Sequence, residues 1–225
     1  NNHPEKVFAV TRSWAQGNPN THQAVLMALL QACAWLDQAD NRSQACELLS
    51  QGRYVNAPVD VLEKSLTGTL QFSSGEKPRK APDYNVFHRY AANFPWRSHA
   101  LWFLSQMMRW GQIESSVKVE DIAMSVYQPE VFRAAAQALN LPCPEHDYKL
   151  EGVHTAGWSL TAEGDSIAMG PDQFMDGRQF DVARLQSYIE GFAVSRLPRL
   201  DNESSTEIGD APRGLAEKAD RKSVV

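Results

Sequence analysis

The sequence predicts a helix-rich α/β fold, and three observations carry that prediction. A long apolar stretch, Ala24–Leu36, follows the turn Asn18-Pro19-Asn20-Thr21. A short apolar run, Val7–Val10, sits between charged and polar residues, as a buried strand does. An aromatic-rich segment, 84–113, holds a further helical pattern that stops at Gly111.

The long stretch predicts a helix over Thr21–Asp37. Asn20 with Gln23 three residues on fits a capping box. Its apolar residues are Val25, Leu26, Ala28, Leu29, Leu30, Ala32, Cys33, Trp35 and Leu36. A stripe that broad predicts a deeply packed helix. A second helix is expected over 42–51, stopped by Gly52. A third should run from Pro58, at its first position, to Leu66, with Gly68 beyond it. Thr69–Phe72 suits a short strand. Ser73–Asp83, with Gly75, Pro78 and Pro82, suits a surface loop.

The aromatic segment carries Tyr84, Phe87, Tyr90, Phe94, Trp96, Trp102, Phe103 and Trp110. It fits a helix from Ser98, as N-cap, to Trp110. Two readings stand for its aromatics: core packing, or a partner surface with Phe94-Pro95-Trp96-Arg97 as its exposed part. Further helices are expected near Val119–Val126 and Pro129–Leu139. Residues 140–171 show no clear period. Asp176-Gly177 marks a tight turn between aromatics, and Asp181 can cap a last helix reaching Gly191.

After Ser195 the texture changes. Asp201–Val225 has 6 acidic and 4 basic residues and no aromatic, which suits a disordered polar tail. The organisation expected is one unit over 1–195 and a tail over 196–225.

Composition removes several function classes. The 225 residues carry 22 Lys and Arg against 27 Asp and Glu, a formal net charge of −5. No basic excess is available for nucleic-acid phosphates, so direct nucleic-acid binding is not expected. The longest apolar stretch, about 13 residues, is too short to span a bilayer. Cys33, Cys46 and Cys143 are odd in number, so they cannot all be paired within one disulfide framework. Cys33, on the apolar helix, reads as a buried small hydrophobe. The pattern leans toward a reducing compartment.

The N-terminus shows no signal-peptide pattern. Its direct entry into an apolar run is expected of the middle of a longer protein. His3, His22, His88, His99, His146 and His154 have no metal-ligand spacing, and no nucleophile elbow, P-loop or dinucleotide fingerprint is present. The expectation is therefore no catalysis, no metal and no cofactor.

Several short motifs, in order, carry a resemblance. They are Asn2-His3-Pro4-Glu5-Lys6, Asn18-Pro19, Ala34-Trp35-Leu36-Asp37, Phe94-Pro95-Trp96-Arg97-Ser98-His99, Leu101-Trp102-Phe103-Leu104 and Arg109-Trp110-Gly111. Near the end stand Phe174-Met175-Asp176-Gly177-Arg178-Gln179-Phe180-Asp181 and Tyr188-Ile189. Over residues 1–194 the set resembles the C-terminal half of the nitrate/bicarbonate solute-binding proteins of ABC transporters.

The resemblance implies part of a type II periplasmic-binding-protein fold, in which two α/β lobes close on a small anion. It implies nitrate or nitrite as ligand and the membrane components of an ABC transporter as partners. Of the site residues it carries over one, Lys6. Members that resemble nitrate binders have Lys at that place, whereas those that resemble bicarbonate binders have an acid there. An ammonium suits the ligand, since burying a monovalent anion needs a cation and several donors. Strand alternation would point Glu5 to the opposite side. The location implied is the periplasm or the outer face of the inner membrane.

The tail and the cysteines leave a second reading within the resemblance. It is a cytoplasmic nitrate sensor that controls an RNA-binding antiterminator regulatory protein. An enzyme of the related pyrimidine-precursor type is disfavoured, because no catalytic set is visible.

Overall fold

The computed structural model describes residues 6–162 and 165–193, together with the backbone of 223–224. Helices dominate, as the sequence predicts. They are α1 (Arg12–Gly17), α2 (Pro19–Asp37), α3 (Arg42–Leu49), α4 (Val59–Leu66), α5 (Arg97–Arg109), α6 (Val119–Val126), α7 (Pro129–Ala138) and α8 (Leu185–Glu190). Three two-stranded antiparallel ladders accompany them. β1 (Ala9–Val10) pairs with β6 (Ser223–Val224), β2 (Thr69–Leu70) with β3 (Arg79–Lys80), and β4 (Trp158–Ala162) with β5 (Asp165–Met169). The expected tail, 196–225, lies outside the described residues except for β6.

Two apolar clusters form the core. In the first, Leu26 and Leu30 of α2 meet Phe94, Trp96 and the α7 residues Phe132, Ala135 and Ala136. Phe94 stands edge-on to both Trp96, with ring centroids 4.7 Å apart, and Phe132, at 5.3 Å. In the second, Ala100, Leu101 and Met108 of α5 meet Val119 and Ala123 of α6, with Phe180 and Ile189. Helix α5 follows directly on Trp96, which links the two clusters.

Several local expectations are corrected. The Val7–Val10 run is not a buried strand. Only Ala9–Val10 is strand, and Val7 is exposed. Helix α2 starts at Pro19 with Asn18 as N-cap, and the Asn20/Gln23 capping box does not form. Proline at the first helical position already fixes the φ that the helix needs. Helix α1 was not foreseen; Thr11 caps it by accepting the Trp14 N–H at 3.3 Å.

Helix α2 is packed on one side only, since it buries just His22, Leu26 and Leu30. Cys33, expected to be buried, is half-buried. Cys46 and Cys143 are buried.

Phe94-Pro95-Trp96-Arg97 is the reverse of an exposed surface. Phe94 and Trp96 are among the most buried side chains, so the core reading of the aromatics holds there. Ser98 does not cap α5, because Trp96 occupies that position and Ser98 is buried in the first turn.

The segment expected as a loop after Phe72 contains β3. Gly68 makes that hairpin possible: it adopts φ 65°, and a Cβ there would lie 2.3 Å from the Ala81 carbonyl oxygen. Residues 140–171, without a visible period, contain β4 and β5. The turn at Asp176-Gly177 forms as expected, with the Gly177 N–H donating to Phe174 O at 3.0 Å. Asp181 caps a short 3-10 turn, Val182–Arg184, by accepting the Ala183 N–H at 2.9 Å, and α8 follows it.

Candidate functional site

Lys6 lies in the extended segment ahead of β1 and is solvent-exposed. Two residues on, Phe8 packs at 6.0 Å from the ring of His22, in the first turn of α2. Trp14 of α1 stands edge-on to the same imidazole at 5.8 Å. His22 is buried, and its Nε2 has no hydrogen-bond partner among the described residues. Burial pushes its pKa down, so the imidazole is held neutral. Glu5 and His3, the other ionisable members of the N-terminal motif, fall outside the described residues.

Away from this corner, the charged side chains gather in three internal clusters. In the first, the Asp37 carboxylate, at the end of α2, accepts the backbone N–H groups of Phe87, His88 and Arg89 at 3.2, 2.7 and 2.6 Å. It also receives the guanidinium groups of Arg42 and Arg89. Burial disfavours its charge, but the backbone donors and the Arg89 charge outweigh that and hold its pKa down.

In the second, Glu151 accepts the Ser98 hydroxyl at 3.0 Å and the Lys149 ammonium, and His99 Nε2 lies 3.2 Å from it. Burial again opposes the charge, while His99 and Lys149 hold the pKa below the ordinary glutamate value. The Glu151 backbone forms a bridge with Phe180, in both directions, at 3.0 and 2.9 Å. Next to it, Arg97 joins Asp147 and Glu130, and Arg133 joins Asp147 at 2.7 Å.

In the third, His154 Nδ1 lies 2.8 Å from Asp172 Oδ2, and the imidazole stacks flat on Trp158 with centroids 3.9 Å apart.

These clusters tie segments of the chain together. Asp37 fixes the 85–94 loop to α2, and Glu151 fixes α5 to the 144–151 and 174–180 segments. Asp37, Asp147 and Glu151 each already accept donors from two or more residues. Among the described residues no group of three or more His, Cys, Asp or Glu could hold a metal ion. Also among them, no helix is long and apolar enough to cross a membrane. One open surface depression is lined by Arg133, Glu145, His146, Asp147 and Tyr148. Sequence reading gave Asp37 only as the end of the Ala34-Trp35-Leu36-Asp37 motif and did not single out Glu151 or Asp172. Nothing in their local sequence separates them from solvated carboxylates.

The NMT1-like family model matches residues 1–50, the stretch that holds Lys6, Phe8 and His22. The nitrate/nitrite binding protein NrtA of Nostoc sp. is 30% identical over 196 residues, 87% of this chain and 40% of that protein. The bicarbonate-binding protein CmpA of Synechococcus elongatus is 26% identical over 198 residues, 86% of this chain and 41% of that protein. The crystal structure of the periplasmic nitrate-binding protein NrtA from Synechocystis PCC 6803 superposes with a TM-score of 0.64 at 26% identity. That match covers 80% of this chain and 42% of the other.

Over most of its length this chain resembles the nitrate/bicarbonate solute-binding proteins. It spans about two fifths of the length of the curated family members it matches. Its fold is accordingly part of a periplasmic-binding-protein fold, helix-rich α/β with open two-stranded ladders.

Proposed function

We propose that this chain is part of a nitrate- or nitrite-binding protein that delivers its anion to an ABC-type transporter, and that Lys6 supplies the cation facing the anion. The observation that carries this reading is Lys6 itself. It is the fourth residue of His-Pro-Glu-Lys and is solvent-exposed. An exposed ammonium can meet a ligand, whereas the cations of the internal clusters already face carboxylates. Lysine at this place favours nitrate over bicarbonate as ligand. A bound cation would suit an acid there, and bicarbonate would then be met through that cation.

The role is binding and delivery rather than catalysis. Transporter membrane components are the partners that follow, and the periplasm or the outer face of the inner membrane is the location.

Nitrate titration of the longer protein tests this, with Lys6→Ala and Lys6→Glu variants and circular dichroism as folding control. Removing one partner of a buried charge pair costs about 2–5 kcal/mol. Lys6→Ala is therefore expected to weaken binding at least about 30-fold, since each 1.4 kcal/mol is tenfold. Lys6→Glu is expected to weaken it further. Equal affinities in all three folded proteins would return Lys6 to an ordinary surface lysine.

The free thiols Cys33 and Cys46 favour one second reading, a cytoplasmic nitrate sensor that controls an antiterminator protein. The compartment separates the two. Secretion of the gene product supports transport, and retention in the cytoplasm supports the sensor.

A further inference from the structure

Helix α2 carries no Asp, Glu, Lys or Arg from Pro19 to Leu36. Its inner side packs on α7 through Leu26 and Leu30. Its outer side presents Ala24, Val25, Ala28, Leu29, Ala32 and Trp35 to solvent. Val25, Leu29 and Trp35 are 36%, 39% and 38% exposed. At 3.6 residues per turn these six fall within a sector of about 140°. A surface helix normally turns charged groups outward, and a helix apolar all round is normally buried. Ala24, Ala28 and Ala32 form a row four residues apart, which lets a second backbone approach closely.

The face spans eleven residue steps, about 17 Å. With a helix width of about 10–12 Å its footprint is roughly 200 Å². A stable association of two separate chains needs about 800 Å² per partner, so a second copy is a poor occupant. A covalently tethered segment needs far less, because its effective concentration is of millimolar order. The family members matched here are about two and a half times as long as the region they share with this chain, so they carry such polypeptide.

We infer that the outer face of α2 is covered by further polypeptide of the same gene product, presenting an apolar helix or sheet face to the Ala24–Ala28–Ala32 row. The inference rests on reading the chain as part of a longer binding protein.

Thiol labelling tests it. Ala28→Cys, and separately Ala32→Cys, are introduced into the 225-residue chain and into the full gene product. Labelling is followed with a maleimide, and the unsubstituted proteins give the background from the native thiols. The expected result is rapid labelling in the 225-residue chain and labelling at least about 50-fold slower in the full product, as for a site exposed only by local opening. Equal rates in the two proteins, or a gene that encodes no further polypeptide, would overturn the inference. So would protection in the 225-residue chain that grows with protein concentration, which would assign the face to a second copy. The readout uses no nitrate. A protected face with no effect of Lys6→Ala would sink the ligand assignment alone.

Discussion

The Asp37 carboxylate accepts both the backbone N–H and the guanidinium of Arg89, at 2.6 and 2.5 Å, across 52 residues of sequence. With Phe87 and His88 it gathers three successive backbone donors, an anion-binding nest filled by the protein's own side chain. Arg42, beside it, also donates to the carbonyls of Leu36, Leu66 and Asn85 at 3.1, 2.7 and 3.2 Å. The node thereby holds α2, α4 and the 85–94 loop in one arrangement. That loop ends in Phe94, two residues before Trp96, so the first apolar cluster depends on it.

Removing the carboxylate should therefore be costly. Asp37→Ala leaves two guanidinium groups and three N–H groups without their acceptor, and breaking a buried pair in this way costs about 3–5 kcal/mol. Asp60→Ala, which breaks the exposed pair with Lys64 at 3.9 Å, should cost below about 0.5 kcal/mol. Urea unfolding of both variants checks the contrast. Similar losses would show that the Asp37 node contributes no more than a surface pair.

The Glu151 cluster predicts acid sensitivity. Its folded-state pKa is held below the unfolded value, so between the two values the unfolded state binds more protons. The stabilisation is present above the ordinary glutamate pKa and is lost as pH falls through the folded value. Asp37, also depressed, acts in the same direction. Thermal unfolding between about pH 6 and pH 3 should show a falling midpoint. Glu151→Gln should start lower at pH 6 and fall less steeply. An unchanged slope would mean that Glu151 is not part of the acid response.

How much was legible beforehand follows from the range of each interaction. Helices α6 and α7 were readable because their periodicity, and for α7 the proline at its start, are local. The β4–β5 hairpin was not. Trp158-Ser159-Leu160-Thr161-Ala162 alternates apolar and polar residues, but its partner Asp165-Ser166-Ile167-Ala168-Met169 does not, and the pairing of Trp158 with Met169 is a relation between segments. The burial of Phe94 and Trp96 was open, since an aromatic stripe fits both a core and an interface until α7 is placed against it. The exposure of α2 ran against its composition, because an apolar helix does not reveal which partner covers it. Lys6 was singled out by a motif, not by its chemistry; a lysine ahead of a strand is otherwise ordinary.

His22 gives a second pH effect at a higher range. Burial lowers its pKa, so the unfolded chain takes up the proton first as pH falls below about 6.5. Its contribution is present above the unfolded value and is lost as pH falls through the folded one. The thermal midpoint should therefore drop between pH 7 and pH 5. His22→Leu should remove that part of the drop and raise the midpoint at pH 5, since it also removes a buried nitrogen without a partner among the described residues. A variant with the same pH slope as the parent would assign the drop to other groups.

The 225-residue chain by itself should bind nitrate weakly. A buried monovalent anion needs several donors around it to offset the loss of hydration. Here the proposed cation, Lys6, is solvent-exposed, and the clusters at Asp37 and Glu151 hold their cations internally. In water an exposed ammonium meets a single anionic charge with only about 1 kcal/mol of attraction, and salt screens that further. Calorimetric titration should then show nothing tighter than about 1 mM, roughly −4 kcal/mol. Any residual heat should fade as chloride rises toward about 0.15 M, as for a screened surface charge. The full gene product should bind far more tightly and resist chloride, because donors from the rest of the chain would close around the anion. Micromolar, chloride-resistant binding by the 225-residue chain would place the whole pocket within these residues and overturn the view of Lys6 as one part of a shared site.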